Sequence, residues 1–513
     1  MLFNSQIFIF VFLPLTLIGF FVVSARLGQR AARFWLLGMS LLFYGWWKVE
    51  YVGLLLGWAV SNYWIGQHIL EARATDRTRA RGWMIAGVAL NLLGLGYFKY
   101  SVFVVDSVAA LTGLDYALGA VVLPLAISFY TFQQIAYLVD LWRGHAARYT
   151  LPDYLLFVAF FPQLIAGPIV HHYELLPQFR RDATYRFQPE LFAQGVVLFV
   201  IGLVKKLLLA DPVSALSGPI FAHAELTGPG FVEAWIAVLA FSIGLYFDFS
   251  AYSDMAVGLA RMMGIQLPYN FNSPYQARSV VDFWRRWHIT LSRFLRDYLY
   301  IPLGGNRQGG LRRSVNLMIT MVLGGLWHGA AWTFIAWGAL QGAYLLINHA
   351  WSSALARGRI PTLLRFGPSV SWGLTLLAIA VAWTFFAAPS FTAAWAVLQG
   401  LFGLAGWVNE AAASRIADGL LVAAPGVWAT KGTAELITQL KPLVTLAIGL
   451  AVVLWLPNSQ EIVDGLRAHH ASAKTRLQLQ FSPSVASATI TAAGFVAAVL
   501  LMADVKEFVY FQF

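Results

Sequence analysis

The chain contains no cysteine. That removes disulfides, thiolate metal sites, S-acylation and any covalent cysteine intermediate from its chemistry. Charge is also scarce: 12% of the 513 residues are charged and 59% hydrophobic, where a water-soluble domain carries roughly 25% charged residues. No charged side chain precedes Arg26, and Phe3 to Val23 is apolar enough to cross a hydrocarbon core, which takes about 20 residues. The basic start and small-residue cleavage site of a secretory leader are lacking too, so this run is expected to be a first membrane span. There is no internal repeat, no low-complexity tract and no stretch with the composition of a soluble domain. One integral membrane domain over residues 1–513 is expected.

What charge there is carries topology. The formal net charge of +11 sits in short segments between apolar runs, which argues for membrane orientation and against nucleic acid as a partner. Arg26, Arg30 and Arg33 follow the first span, and Arg73, Arg77, Arg79 and Arg81 mark a second basic loop. The positive-inside rule then puts these loops in the cytoplasm and the N-terminus outside. Between them Phe34 to Trp47 and Tyr51 to Leu70 supply two crossings, and Trp83 to Val105 with Leu118 to Leu141 a further pair. Tyr154 to Ile169 is broken by Pro162 and Pro168 and flanked by basic residues on both sides, so a re-entrant or broken helix is expected, a form tolerated at membrane depth only where protein or a watery cavity covers it. Later apolar runs cover 191–209, where Lys205 and Lys206 are placed to snorkel, then 231–259, 315–347, 374–386, 443–456 and 490–501. The fold class is therefore all-α: a polytopic transmembrane helical protein with roughly ten to thirteen membrane elements, some re-entrant or broken. Asn409 to Lys441 and Ser459 to Ser482 read as loops, and the terminal Phe508 to Phe513 as interfacial aromatics.

Residues 278–313 hold eight arginines against Asp282 and Asp297, a net +6. Trp284, His288, Leu291 and Leu295 recur at helical spacing, which predicts an amphipathic helix lying in the cytoplasmic interface. Two readings fit the charge: an anchor touching anionic lipid headgroups, or an entrance for a phosphate-bearing acyl donor. In the second, Arg285, Arg286 and Arg296 offer guanidinium forks for phosphate oxygens, with Trp287 beside them, and the Pro302 to Arg307 turn brings Asn306 and Arg307 close.

From Val315 to Ile347 no side chain is formally charged. Thirty-three helical residues would span roughly 50 Å, so one straight perpendicular helix does not fit, and Gly324-Gly325 offers a break or a close-packing point. His328 lies about 20 Å along such a helix from Val315. An ionisable group that deep is costly and usually faces a cavity, a relay or a partner, and neutral imidazole suits general-base work. Asp248 and Asp254 are the other notable intramembrane ionisable residues, either paired with arginine, capping a broken helix, or lining the reaction cavity. His171-His172 does not predict metal, since adjacent residues on a helix point about 100° apart.

The run Asp282-Phe283-Trp284-Arg285-Arg286-Trp287-His288, continued through Leu295 to Arg307, resembles the signature of the membrane-bound O-acyltransferases, and Gly324 to Ala330 resembles their second block. The two blocks stand in the right order with their histidines forty residues apart. Tyr246 to Asp254, Asn270 to Tyr275, Gly96-Tyr97-Phe98-Lys99-Tyr100 and Ala166-Gly167-Pro168 are similar to the bacterial branch that acetylates alginate, while Tyr130 to Gln134 and Pro457 to Glu461 depart from it and suit relatives acting on cellulose, peptidoglycan or another exported glycan. The resemblance implies His328 as the catalytic histidine and His288 as a second functional position, with Asn270, Asn272 and Trp327 joining Asp248 and Asp254 as candidates for the cavity wall. It implies acetyl-coenzyme A as donor, with no permanently bound cofactor, in a bacterial inner membrane. It further implies an exported polysaccharide as final acceptor, and a periplasmic protein that accepts or passes on the acetyl group. A glycan or lipid transporter and a scaffold subunit of a secretion complex are the competing classes; the first is motivated by the broken spans and the intramembrane aspartates.

Overall fold

A computed structural model describes residues 1–113, 116, 118–119, 121–145, 148–359, 361, 366–409, 433–465, 480–502 and 508, with side chains undescribed at 433–443. Every regular element among them is helical. The helices that matter for the site are α1 (Leu13–Gly45), α2 (Glu50–Thr75), α3 (Arg77–Leu95), α4 (Ser101–Thr112), α5 (Ile127–Arg143), α6 (Leu151–Ala159), α7 (Phe161–Leu164) and α8 (His172–Leu175). They continue with α9 (Pro189–Val204), α10 (Asp211–Thr227), α11 (Phe231–Met262), α12 (Val280–Arg286), α13 (Ile289–Leu295), α14 (Gly309–His328), α15 (Trp332–Ala356), α16 (Pro368–Ala387) and α17 (Phe391–Leu401). Three further helices, Thr433–Trp455, Ser459–Asp464 and Val485–Leu500, follow. Among the described residues, the stretches Phe8–Gly45, Arg77–Thr112, Phe231–Met262 and Pro368–Ala387 are long and apolar enough to cross a bilayer on their own.

The central element is α11. Every residue from Ser242 to Met262 is buried, as expected of a helix without a solvent face. It packs on α9, α10, α16 and α17. The α9 contact is backbone to backbone: a Cβ on Gly195 would stand 2.6 Å from the Gly258 carbonyl oxygen, the small-residue packing that lets membrane helices approach closely.

Several local expectations change. The runs on either side of Arg26 to Arg33 are separate as expected, but the break is a single residue: α1 is two helices meeting at Gly28, whose φ of +85° and ψ of 173° are not helical, and Trp35 Nε1 donates back across it to the Thr16 carbonyl at 3.1 Å. Four segments, Phe8–Phe12, Gly96–Tyr100, Lys205–Ala210 and Arg296–Tyr300, are π-helical, a wider winding that concentrates at functional positions. The run expected from Leu118 enters helix only at Ile127. The Tyr154 to Ile169 stretch is broken as expected, and its irregular backbone is served by protein: Phe161 N–H donates to Ser40 Oγ at 3.3 Å and Ile169 N–H to Thr290 Oγ1 at 3.0 Å. Of the two supposed loops, Thr433–Trp455 and Ser459–Asp464 are helical; 410–432 and 466–479 lie outside the described residues, as do 509–513. Phe508 is buried against Tyr252, with ring centroids 5.0 Å apart, so it is not interfacial.

Candidate active site at His328

The break in the 315–347 run falls four residues after the glycine pair. His328 is the last residue of α14, the chain turns through Gly329-Ala330-Ala331, and α15 returns from Trp332. Gly325 serves the close packing instead: a Cβ there would meet the Phe334 carbonyl oxygen at 2.3 Å and the Gly338 Cα at 3.0 Å. The hairpin therefore closes tightly under His328.

A helix end leaves its last carbonyls without partners, and burial makes that expensive. Here the Gly96–Tyr100 π-segment supplies them. Tyr100 OH donates to the Leu326 carbonyl (3.0 Å), and Lys99 Nζ donates to those of Trp327 (2.5 Å) and His328 (3.1 Å). The His328 imidazole is 5.1 Å from the Trp327 ring, 5.2 Å from Trp337 and 5.3 Å from Phe386, centroid to centroid. Trp337 in turn stacks on Trp383. These rings exclude water from most of the imidazole's surroundings. The remaining access is a cavity of about 280 Å³ whose walls include Trp47, Lys99, Leu123, Ser128, Trp327 and His328.

His288 is reached through Trp327, whose ring centroid is 6.4 Å from its own. It does not continue a helix. Its φ and ψ are +42° and +56°, a left-handed turn between α12 and α13, so the expected single amphipathic helix is two short ones. The extended segment at Asn270 to Asn272 causes the break by taking over backbone bonds: Asn272 N–H donates to the Arg286 carbonyl and Ile289 N–H to that of Asn270, both at 2.9 Å. Asn270 Oδ1 accepts from Thr290 Oγ1 at 2.6 Å and stands 3.3 Å from His288 Nδ1. With that oxygen as acceptor, Nδ1 carries the proton and Nε2 the lone pair. A non-glycine residue held left-handed costs of order 1–2 kcal/mol and persists where its surroundings over-determine it.

The other expected positions separate by environment. Arg285, Arg296, Asn306 and Arg307 are exposed; Arg296 is hydrogen-bonded to Asp297 Oδ1 (2.7 Å) and Oδ2 (3.0 Å), and Asn306 accepts from Tyr300 OH. Arg286 and Trp287 are engaged internally, Arg286 on Asp282 (2.8 Å) and the Asn272 carbonyl (3.3 Å), Trp287 stacked on Phe283. Asn272 accepts from Asn458 at 3.0 Å. Asp248 and Asp254 are ion-paired with Lys206 (2.7 Å) and Lys205 (2.6 Å). The partners are lysines, not the arginines that one reading of the sequence supposed, and they point into the protein; the expected snorkelling does not occur. The adjacent histidines diverge as their geometry requires. His172 lies between Asp140 Oδ2 and Tyr149 OH, each 3.2 Å away, while His171 Nδ1 is 3.1 Å from Tyr298 OH. Lys99 and the 123–128 cavity rim were not singled out as site residues from sequence, although a lysine inside an apolar run is itself a signal.

A buried histidine lining a cavity, with a second histidine on the other side of Trp327, is an arrangement suited to moving a proton from a hydroxyl. Comparisons with known proteins give the class of reaction. Residues 143–391 match the model of the membrane-bound O-acyltransferase family, and the chain belongs to that family: it is a multi-pass membrane acyltransferase. In particular, it is 40% identical over 499 residues to the probable alginate O-acetylase AlgI of Pseudomonas aeruginosa, covering 94% of this chain and 91% of that protein. It is 41% identical over 434 residues to the peptidoglycan O-acetyltransferase of Helicobacter pylori, covering 79% and 80%. A teichoic acid D-alanyltransferase of Streptococcus thermophilus is 32% identical over 242 residues, 44% of this chain and 57% of its own.

Proposed function

We propose that the chain, as one integral membrane domain of a bacterial inner membrane with its N-terminus on the periplasmic side, moves acetyl groups from cytoplasmic acetyl-coenzyme A onto an exported polysaccharide. An alginate-like polymer is the first acceptor to test. The observation that carries the reading is His328: a buried histidine, its ring set among Trp327, Trp337 and Phe386, that lines a cavity. The names of the similar proteins support a carbohydrate polymer as acceptor.

In this reading His328 removes the proton as the acceptor hydroxyl oxygen adds to the thioester carbonyl carbon. It returns that proton to the thiolate as the C–S bond breaks, so one histidine acts first as base and then as acid. His288, fixed by Asn270 and Thr290, positions the reacting groups. The exposed Arg285, Arg296 and Arg307, with Asn306, receive the phosphates of the donor, while Arg286 and Trp287 hold the segment that carries them. Asp248 and Asp254, matched by lysines and absent from the walls of the cavity beside His328, contribute to packing and not to proton transfer. A periplasmic protein accepts the acetyl group or passes it to the polymer.

The test is the acetyl content of exported glycan in a strain whose only copy carries His328→Ala, with membrane insertion verified on the same cells. Acetylation is expected to vanish. Retained acetylation with normal protein levels would end the assignment.

A further inference from the structure

Lys99 is half-buried and differs from four other buried or half-buried cations. Lys205, Lys206, Arg261 and Arg286 each meet a carboxylate within 4.0 Å. Among the described residues, Lys99 forms no such pair: its hydrogen-bond partners are the carbonyls of Trp327 and His328, and its ammonium is 5.9 Å from the Trp327 ring centroid. The closing end of α14 supplies about half a negative charge, which leaves a net positive field at the His328 carbonyl. An ammonium has three donors. Two are bound to α14, and the side chain lines the same cavity as His328. Holding a partly uncompensated cation at membrane depth is costly, and the cost is recovered when negative charge appears beside it.

We infer that Lys99 is a catalytic residue of the transfer reaction, its remaining N–H stabilising the oxyanion that forms when the acceptor hydroxyl adds to the acyl carbonyl. The inference rests on the transfer reaction proposed above. As the hydroxyl oxygen bonds to the carbonyl carbon, its proton passes to His328 and the carbonyl π electrons move onto oxygen, next to the Lys99 ammonium. When the C=O bond re-forms, the C–S bond breaks, and the thiolate takes the proton from His328. The charge on Lys99 is unchanged throughout. The same bonds to the Trp327 and His328 carbonyls tie the cation to the end of the helix that carries the base.

The absence of cysteine makes the test specific. Lys99→Cys introduces the sole thiol of the chain, and alkylation with 2-bromoethylamine rebuilds a lysine-like ammonium on it, whereas methyl methanethiosulfonate adds similar bulk without charge. Full-length protein in proteoliposomes, with periplasmic extract of the producing strain supplied on the acceptor side, is assayed with labelled acetyl-coenzyme A and either an oligouronate or a neutral cello-oligosaccharide. Lys99→Cys and Lys99→Met are expected to lose about 10²–10³-fold in kcat with KM for the acceptor within threefold. Aminoethylation restores activity to within tenfold of wild type, and methylthiolation does not. Equal recovery by both reagents, recovery by neither, or unchanged kcat in Lys99→Met would each overturn the inference. A rise in KM confined to the oligouronate would also overturn it, since Lys99 would then be an anchor for an acceptor carboxylate. Lys99→Arg keeps the charge and covers the case in which the smaller side chains fail to fold; a folded Lys99→Arg as inactive as His328→Gln would count against the inference. His328→Gln runs alongside: activity there removes the transfer reading itself, whereas an inactive His328→Gln beside an active Lys99→Met removes only the role of Lys99.

Discussion

His328 and His288 are both buried, both touch the Trp327 ring, and are held in opposite ways. His328 ends a regular helix, with its backbone tied by Lys99 and its ring set among aromatics beside a cavity. His288 sits in a left-handed turn, with its ring nitrogen facing Asn270 and its neighbours bound to two other segments. The first borders a cavity. The second is placed to keep a fixed tautomer and orientation, at the expense of backbone strain.

That contrast can be broken most severely at His328. His328→Gln keeps the bulk and removes the base, and should lower acyl transfer by at least about 10³-fold, with thermal unfolding of the detergent-solubilised protein unchanged. A loss of fold would instead make His328 a packing residue. Replacing His288 by glutamine should cost about 10²-fold, the scale of a misplaced reacting group. His288→Gly should lose as much activity while relieving roughly 1 kcal/mol of left-handed strain, so a stability gain accompanied by full activity would deny His288 any functional part. Thr290→Val removes the bond that orients Asn270 and leaves Ile169 N–H without its acceptor. Stability should fall by about 1–3 kcal/mol, with activity several-fold down, and an equal loss in Asn270→Ala would show that the two act as one unit. Arg285→Ala and Arg307→Ala, both exposed, should leave the melting temperature within a degree or two and raise the donor KM modestly. That effect should fade at high salt, because screening acts on exposed charges; salt independence would remove these arginines from donor binding.

The same residues mark how far the sequence could be read. Scarcity of charge and the length of the apolar runs were enough for a helical membrane protein, and a lone histidine in a 33-residue uncharged run was enough to single out His328. Periodicity failed at Trp284 to Leu295, where spacing implied one helix. The competing backbone partners of that segment come from Asn270 and Asn272, more than ten residues upstream, and no local window contains them. At α1 the basic residues Arg26 to Arg33 did mark the break between two helices, although a single glycine at φ +85°, and not a longer loop, makes it. Asp248 and Asp254 showed as costly charges, but their lysine partners on the π-helical segment are over forty residues away in sequence.

What the sequence determined by itself was the solvent of this protein and the presence of an ionisable group, His328, deep in an apolar run, since both follow from transfer free energies that depend on composition along the chain. Which residues share the cavity was decided only in three dimensions. Lys99 and His328 are separated by 228 intervening residues and joined by a 3.1 Å hydrogen bond. That bond exists because a buried helix end must find donors wherever the fold can supply them.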